Sequence, residues 1–193
     1  MSSIKLTADS GGGTFEIKAP ASGSNARVLT LPDTGSYILG GKILQVQSVT
    51  INSPVSAAAE GTTTYADIAG MSISITPAAS ANKMLISCHL SFSNDTIARN
   101  DFIKLVKDGS DVSAVTGTQG ASGKNGLAYC RISAPNEVKC VSMMHLDTAG
   151  GTSAITYKLQ WSGEASGTRY LNRRGDSTNH GAVSSFTVME VAA

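Results

Sequence analysis

From Ala154 to Trp161 the chain alternates: Ile155, Tyr157, Leu159 and Trp161 are apolar, and Thr156, Lys158 and Gln160 between them are polar. A period of two belongs to an extended strand, whose successive side chains point to opposite faces, so this segment predicts a strand with one buried face. The same alternation over residues 83–92 puts Met84, Ile86, Cys88, Leu90 and Phe92 on one face and His89 on the other. Further strands are predicted over residues 43–51, 62–68, 71–76, 101–107, 127–133, 137–146, 168–173 and 184–191. Gly70 separates two of them, Pro77 stops another, and Asp108-Gly109 is a strong tight-turn signal. No long window carries a helical period. About ten short strands with turn signals between them predict an all-β protein, an antiparallel β-sandwich or barrel.

Two of these segments are apolar on both faces. Tyr129 and Cys130 are neighbours in one strand, and Met143 and Met144 are neighbours in another. One face can fill the sandwich, and the other calls for a cover from outside the chain. The cysteines Cys88 and Cys140 (the latter beside Val138, Met144 and Leu146 on an apolar face) read as core residues, and Cys130 as core or interface.

The first forty residues are organised differently. Ile4-Lys5-Leu6 and Phe15-Glu16-Ile17-Lys18 are short alternating stretches on either side of Asp9-Ser10-Gly11-Gly12-Gly13, and Arg27 to Leu31 is a third. Three strands of this length cannot bury a useful core, since units below about 40 residues need outside help. The chain therefore divides into a short β-strand arm, residues 1–41, and a body, residues 42–193, with Gly40-Gly41 as the junction.

Composition adds exclusions. The formal net charge is +1, without the basic stripe that nucleic-acid binding requires, so no nucleic-acid partner is expected. Charged residues are 15% of the chain, low for a fully solvated surface. No apolar run reaches the ~18–20 residues of a membrane helix, and the N-terminus lacks the apolar core of a secretory signal, so synthesis in a cytoplasm without membrane insertion is expected. An odd count of three cysteines without a Cys-x-x-Cys spacing predicts neither a disulfide framework nor a zinc site.

Two stretches of the sequence resemble known virion proteins. Phe15-Glu16-Ile17-Lys18-Ala19-Pro20-Ala21 followed by Leu29-Thr30-Leu31-Pro32-Asp33-Thr34-Gly35 is similar to the N-terminal module of phage fibre and appendage proteins. Tyr65 to Pro77, then Asn82 to Ile86, Phe102 to Gly109 and the closing strands resemble the C-terminal β-sandwich domain of phage virion proteins, related to the trimeric jelly rolls of the TNF and C1q type. The resemblance implies a jelly-roll knob that forms a homotrimer, in a virion protein made in the host cytoplasm. It also implies an arm that docks through Phe15, Ile17, Val28, Leu29, Leu31 and Pro32 onto a capsid, tail or baseplate protein of the same phage. The setting is a short fibre, a tail-fibre tip or a capsid decoration, with a host surface glycan or protein as a further partner.

The residues offer little chemistry to compete with that. His89 and Cys88 are strand neighbours and point apart, so they cannot form a nucleophile–base pair. His145 reads as structural, and His180 lies in a polar loop where a partner could be contacted. Asn94-Asp95-Thr96 with Asn100-Asp101 reads as a solvated loop, not a cation site. The 14 acidic residues are scattered, without the close pair a glycosidase needs. No catalytic residue, cofactor or metal site is predicted; a carbohydrate-active tailspike-like enzyme domain and a non-viral C1q-like binding module are the alternatives. Arg169, Tyr170, Arg173 and Arg174 form the one dense basic patch, and with His180 they are the candidate host-contact residues. A planar guanidinium beside an aromatic ring suits an anionic sugar or a phosphate, while a charged, solvated strand edge is the plainer reading.

Overall fold

The computed structural model describes residues 3–7 and 14–18 as backbone, and residues 42–58, 64–96, 99–118, 125–163 and 167–193 of the remainder. The chain divides into two units, Met1–Gly40 and Gly41–Ala193. In the first, β1 (Ser3–Thr7) pairs antiparallel with β2 (Thr14–Lys18), with Ile4 opposite Ile17 and Leu6 opposite Phe15. The strand expected over residues 27–31, with Val28, Leu29, Leu31 and Pro32, lies outside the described residues.

The second unit is all β, two antiparallel sheets enclosing one core. The first sheet contains β3 (Ile43–Ile51), β4 (Val55–Ala58), β6 (Lys83–Asn94), β10 (Lys139–Thr148), β12 (Thr168–Leu171) and β13 (Ser184–Val191). The long β6 organises it. Along one side β6 pairs with β10; along the other it pairs with β13 and then, further up, with β12. β3 pairs with β13 and β4 with β12, so the outer two strands also lie end to end. The second sheet contains β5 (Ala66–Ile75), β11 (Ile155–Gly163), β7 (Arg99–Lys107), β8 (Ser110–Asp111) and β9 (Ala128–Ile132). Its order is β5-β11-β7, with β8 and β9 both on the far side of β7.

The predicted faces are the buried ones. Ile155, Tyr157, Leu159 and Trp161 of β11 are all buried, as are Met84, Ile86, Cys88, Leu90 and Phe92 of β6. They meet Ile73 and Ile75 of β5, Ile103 and Leu105 of β7, and Phe186 and Val188 of β13 in one cluster. Each large side chain removed from water contributes on the order of 2 kcal/mol. Phe92 and Trp161, one from each sheet, stack edge-on with centroids 6.5 Å apart.

Turn chemistry follows the sequence with one revision. Asp108 (φ 48°) and Gly109 (φ 83°) form the tight turn between β7 and β8, both in the left-handed region that such a turn demands. Gly70 does not separate two strands. It sits inside β5 at φ 82°, where the pairing with β11 slips between Lys158 and Gln160, so it is a bulge within a continuous strand. A β-carbon there would also approach Ile51 Cδ1 to 2.8 Å.

Candidate functional site

The basic segment begins on β12. Tyr170 lies opposite Ser93 of β6 and Ser56 of β4, and its neighbour Arg169 lies opposite Asn94 and Ala57. Alternation therefore sends Arg169 inward and Tyr170 outward. Arg169 is fully buried, which corrects its assignment as a host-contact residue. Its guanidinium donates from Nη2 to the Ala58 carbonyl at 2.7 Å and lies 5.6 Å from the Trp161 ring. The Asp101 carboxylate is buried at the same end of the core, where Asn94 Nδ2 donates to both of its oxygens at 3.3 and 3.1 Å. Gly163 stands opposite Asp101, and a β-carbon there would run into both Asp101 Oδ1 and Arg169 Nη1. Residue type alone marks Arg169 as surface; its strand phase puts it in the core, beside an acid that only the pairing of β7 with β11 brings near.

Outside the sheet, Arg173 folds back over Tyr170, with its guanidinium carbon 4.2 Å from the ring centroid. Arg173 Nε donates to the Arg174 carbonyl at 2.9 Å, which fixes the stacked pose. The Tyr170 hydroxyl donates to Asp95 Oδ2 at 3.3 Å, and Asp95 Oδ1 accepts from the Thr168 amide at 2.7 Å. Burial raises the Asp95 carboxyl's affinity for its proton, but these bonds and one from Thr96 outweigh it and hold the group below the usual carboxylate range. Arg174 is bound to Asp176 through two bonds of 2.9 and 2.7 Å. His180 is exposed in the same loop, next to Gly181, which bridges back to Arg173. The structure thus brings Tyr170, Arg173, Arg174 and His180 to one loop, with Arg173 stacked and Arg174 already neutralised. The assembly can hold a small anion or a sugar ring edge-on; it lacks a nucleophile–base pair.

That loop is tied down over the upper end of the first sheet. Ser93 Oγ donates to the Arg173 carbonyl at 2.6 Å, and the Asp176 amide donates to the Pro135 carbonyl at 3.2 Å. Gly175 passes so close to the Asn94–Asp95 backbone that any side chain there would collide with it. Below the loop the outer face of the sheet carries exposed side chains.

Pair register identifies that face. Leu146 of β10, Leu85 of β6, Met189 of β13 and Val46 of β3 lie opposite one another in a single row across four strands. Met144 shares a row with Ser87, Thr187 and Ser48, and Ser142 shares one with His89, Ser185 and Thr50. Met144 is 74% exposed, Leu146 54% and Val46 50%. Ile43, Leu44, Val138 and Val183, at the ends of β3, β10 and β13, are exposed as well. Cys140 belongs to this outward set and is exposed, which corrects its reading as core. Val141 and Met143 are apolar β10 side chains that turn inward, and with apolar residues on both faces the strand's own pattern does not distinguish them.

The second sheet's outer face differs in kind. It carries the ion pairs Lys158–Asp67 and Lys104–Asp111, each at 2.7 Å, with Gln160, Ser72 and Ser74 around them. Where the edges of the two sheets part, a cleft of about 470 Å³ opens between β9 and β10, lined among others by Tyr129, Cys130, Arg131, Lys139 and Cys140. Burial, and then the nearby Asp101, push the Cys130 thiol up to about 11, so it is not a ready nucleophile. Among the described residues no three His, Cys, Asp or Glu side chains gather where a metal could sit.

No protein-family model matches the chain, and no curated protein matches it in sequence. Among solved structures it is similar to the structure of infectious bursal disease virus Gt strain, at 12% identity and a TM-score of 0.44, covering 97% of this chain and 46% of that one. It is also similar to the crystal structure of the infectious bursal disease virus VP2 subviral particle, at 14% identity and a TM-score of 0.35, covering 77% of this chain and 38% of that one. The chain spans less than half the length of each.

Proposed function

We propose that this is a non-catalytic virion structural protein of a bacteriophage: a trimeric jelly-roll knob carried on an N-terminal docking arm. The strand order carries the reading. Among the eight principal strands of the body, one sheet runs β3-β13-β6-β10 and the other β5-β11-β7-β9. That is first, last, third and sixth against second, seventh, fourth and fifth, an order that supports the double Greek key of a jelly roll. The arm's likeness to fibre and appendage modules, at Phe15 to Ala21 and Leu29 to Gly35, supports attachment through residues 1–41 to a capsid, tail or baseplate protein. The Tyr170–Arg173 loop with His180 is the surface offered to a host glycan or protein.

The body has its own core, so it can be produced without the arm. Deleting residues 1–40 should leave a soluble, folded protein that no longer incorporates into particles in a complementation assay. Normal incorporation of the truncated chain would place the anchor in the body and end the division of labour proposed here.

A further inference from the structure

The exposed apolar side chains of the body are not scattered. Among the described residues, those that are large and exposed belong, Tyr129 apart, to β3, β10 or the residues leading into β10 and β13. Tyr129 lies elsewhere, its ring 5.6 Å from Phe102 on the second sheet. Half-exposed side chains in this number present on the order of several hundred Å², beyond the usual single patch of a monomer and close to the ~800 Å² per partner of a stable complex.

Charge on the face is as informative as its apolarity. Along β10 the outward residues are Cys140, Ser142, Met144, Leu146 and Thr148; along β13 they are Ser185, Thr187, Met189 and Val191. β6 contributes Lys83, Leu85, Ser87 and His89, and β3 contributes Val46, Ser48 and Thr50. Among the described residues this surface has no carboxylate, while the opposite sheet is laced with ion pairs. A partner with a charged surface would gain nothing here. A second copy of this chain, presenting the same neutral surface or the apolar strand ends beside it, fits.

His89 stands in the middle of that neutral field. It is exposed, with Ser142 of β10 and Ser185 of β13 on either side and Ser87 and Ser91 along its own strand. Its Nδ1 lies 3.3 Å from Ser142 Oγ, either atom donating according to the tautomer. The charged groups of this side are remote in register: Lys83 at the lower end of β6, and Asp95, Arg173, Arg174 and Asp176 with Tyr170 at the upper end, in and beneath the covering loop. β12, packed beside the top of β6, turns Arg169 inward. No carboxylate shares His89's row to stabilise an imidazolium.

We propose that this face is covered by a second copy of the chain with His89 neutral, so that protonating His89 loosens the assembly. The proposal rests on the self-associating knob proposed above and adds its surface and its regulation. Histidine changes charge between about pH 5 and 8, and a buried cation without a counter-charge is strongly disfavoured.

Light scattering on the full chain at pH 7.5 and pH 5.0, with near-ultraviolet circular dichroism as a check of folding, tests it. Wild type should show about three times the 19.8 kDa chain mass at pH 7.5 and fall to the single-chain mass at pH 5.0 while still folded. Leu146→Lys and Val46→Lys should give folded single chains at both pH values, and Ser72→Lys on the opposite sheet should behave as wild type. His89→Gln should hold the assembly at both. If the two lysine variants assemble normally, copies meet elsewhere and this proposal fails while the trimer reading stands. If wild type is two copies at pH 7.5 and the lysine variants are single chains, the face stands and the trimer fails. A wild-type single chain at pH 7.5 overturns both. If His89→Gln dissociates in acid as wild type does, the histidine has no such role.

Discussion

The Ser184 hydroxyl donates to Asn172 Oδ1 at 2.6 Å, and this bond joins two strands that lie end to end. β12 ends at Leu171, opposite Phe92, and β13 starts at Ser184, beside Ser185 opposite His89. The chain leaves the sheet between them to form the Arg173–His180 loop. Asn172 closes the gap from within: its backbone amide donates to the Ser91 carbonyl at 2.9 Å, and its Nδ2 donates to the Ile51 and Ser53 carbonyls at 2.8 and 3.1 Å. Ser184 Oγ in turn accepts from the Ser91 amide at 3.0 Å. Three strand ends thereby satisfy one another where the ladder is interrupted.

Replacing Asn172 separates two effects. Its φ of 64° is left-handed, which asparagine tolerates and alanine does not. Asn172→Ala should cost about 3 kcal/mol, from lost bonds to buried carbonyls and from backbone strain. Asn172→Gly removes the same bonds without the strain and should be milder by about 1 kcal/mol. Equilibrium urea unfolding of the two variants measures the difference; equal losses would mean that the backbone conformation contributes nothing.

The Glu190 carboxylate is one group that links stability to pH. It is buried at the lower end of the sheet, where Asn82 Nδ2 and Gln45 Nε2 donate to it at 2.6 Å each and the Ala78 amide at 2.7 Å. Burial raises its proton affinity, but these donors prevail and hold it below the ordinary glutamate range. A group depressed in the folded state contributes stability that is present above its unfolded pKa, about 4.3, and is lost as pH falls through the folded value. The melting temperature of wild type should therefore fall below about pH 4.3. Glu190→Gln should melt several degrees lower at pH 7 and show a shallower acid decline. Parallel curves for the two proteins would remove Glu190 from the account.

Much of this fold is legible in local pattern. The alternation of β11 and the stripe on β6 each name a buried face, because in those strands only one face is apolar. Local pattern fails where the deciding partner is distant in sequence. Arg169 looks like its basic neighbours until strand phase and the buried Asp101 are known. Cys140 lies in a strand apolar on both sides, so nothing within the strand chooses its direction. Gly70 signals a break in either case, and the pairing with β11 makes the break a bulge. For Asn172, the three segments it ties together become neighbours only in the sheet. Tyr170, Arg173 and Arg174 are recognisable as a cluster in the sequence, and Asp176, two residues beyond Arg174, is the local sign that one of its charges is paired.

Arg169 and its neighbours in the basic segment should divide sharply on mutation. Removing one member of a buried charge cluster leaves the rest uncompensated and costs about 3–5 kcal/mol. Arg169→Ala is expected in that range, and Gly163→Ala should also destabilise, since the added methyl meets Asp101 and Arg169. Arg174→Ser removes an outward-facing pair with Asp176, worth about 1 kcal/mol or less. Thermal denaturation of the three variants checks the order; an Arg169→Ala protein as stable as wild type would mean that the buried arginine is dispensable.

If the loop meets a host surface, as proposed above, Arg173 is expected to carry the contact ahead of its neighbours. Arg174 already spends its charge on Asp176, and Arg169 cannot be reached from solvent. Arg173 is held over the Tyr170 ring by a bond to backbone, so its guanidinium is presented in a fixed pose beside an aromatic edge. Such a pre-set planar donor loses little freedom on meeting an anionic sugar or phosphate. Arg173→Ser should therefore lower adsorption of the phage to its host about tenfold, equivalent to about 1.4 kcal/mol, with a melting temperature close to wild type. Arg174→Ser should change adsorption less, and Tyr170→Leu, which removes the platform, should resemble Arg173→Ser. Adsorption rates measured at matched ionic strength distinguish a shaped contact from general attraction, since general attraction would make the two arginine variants equivalent. Equal losses at Arg173 and Arg174 would reduce the site to diffuse charge, and unchanged adsorption in all three would leave the stack as a purely structural clasp on the loop.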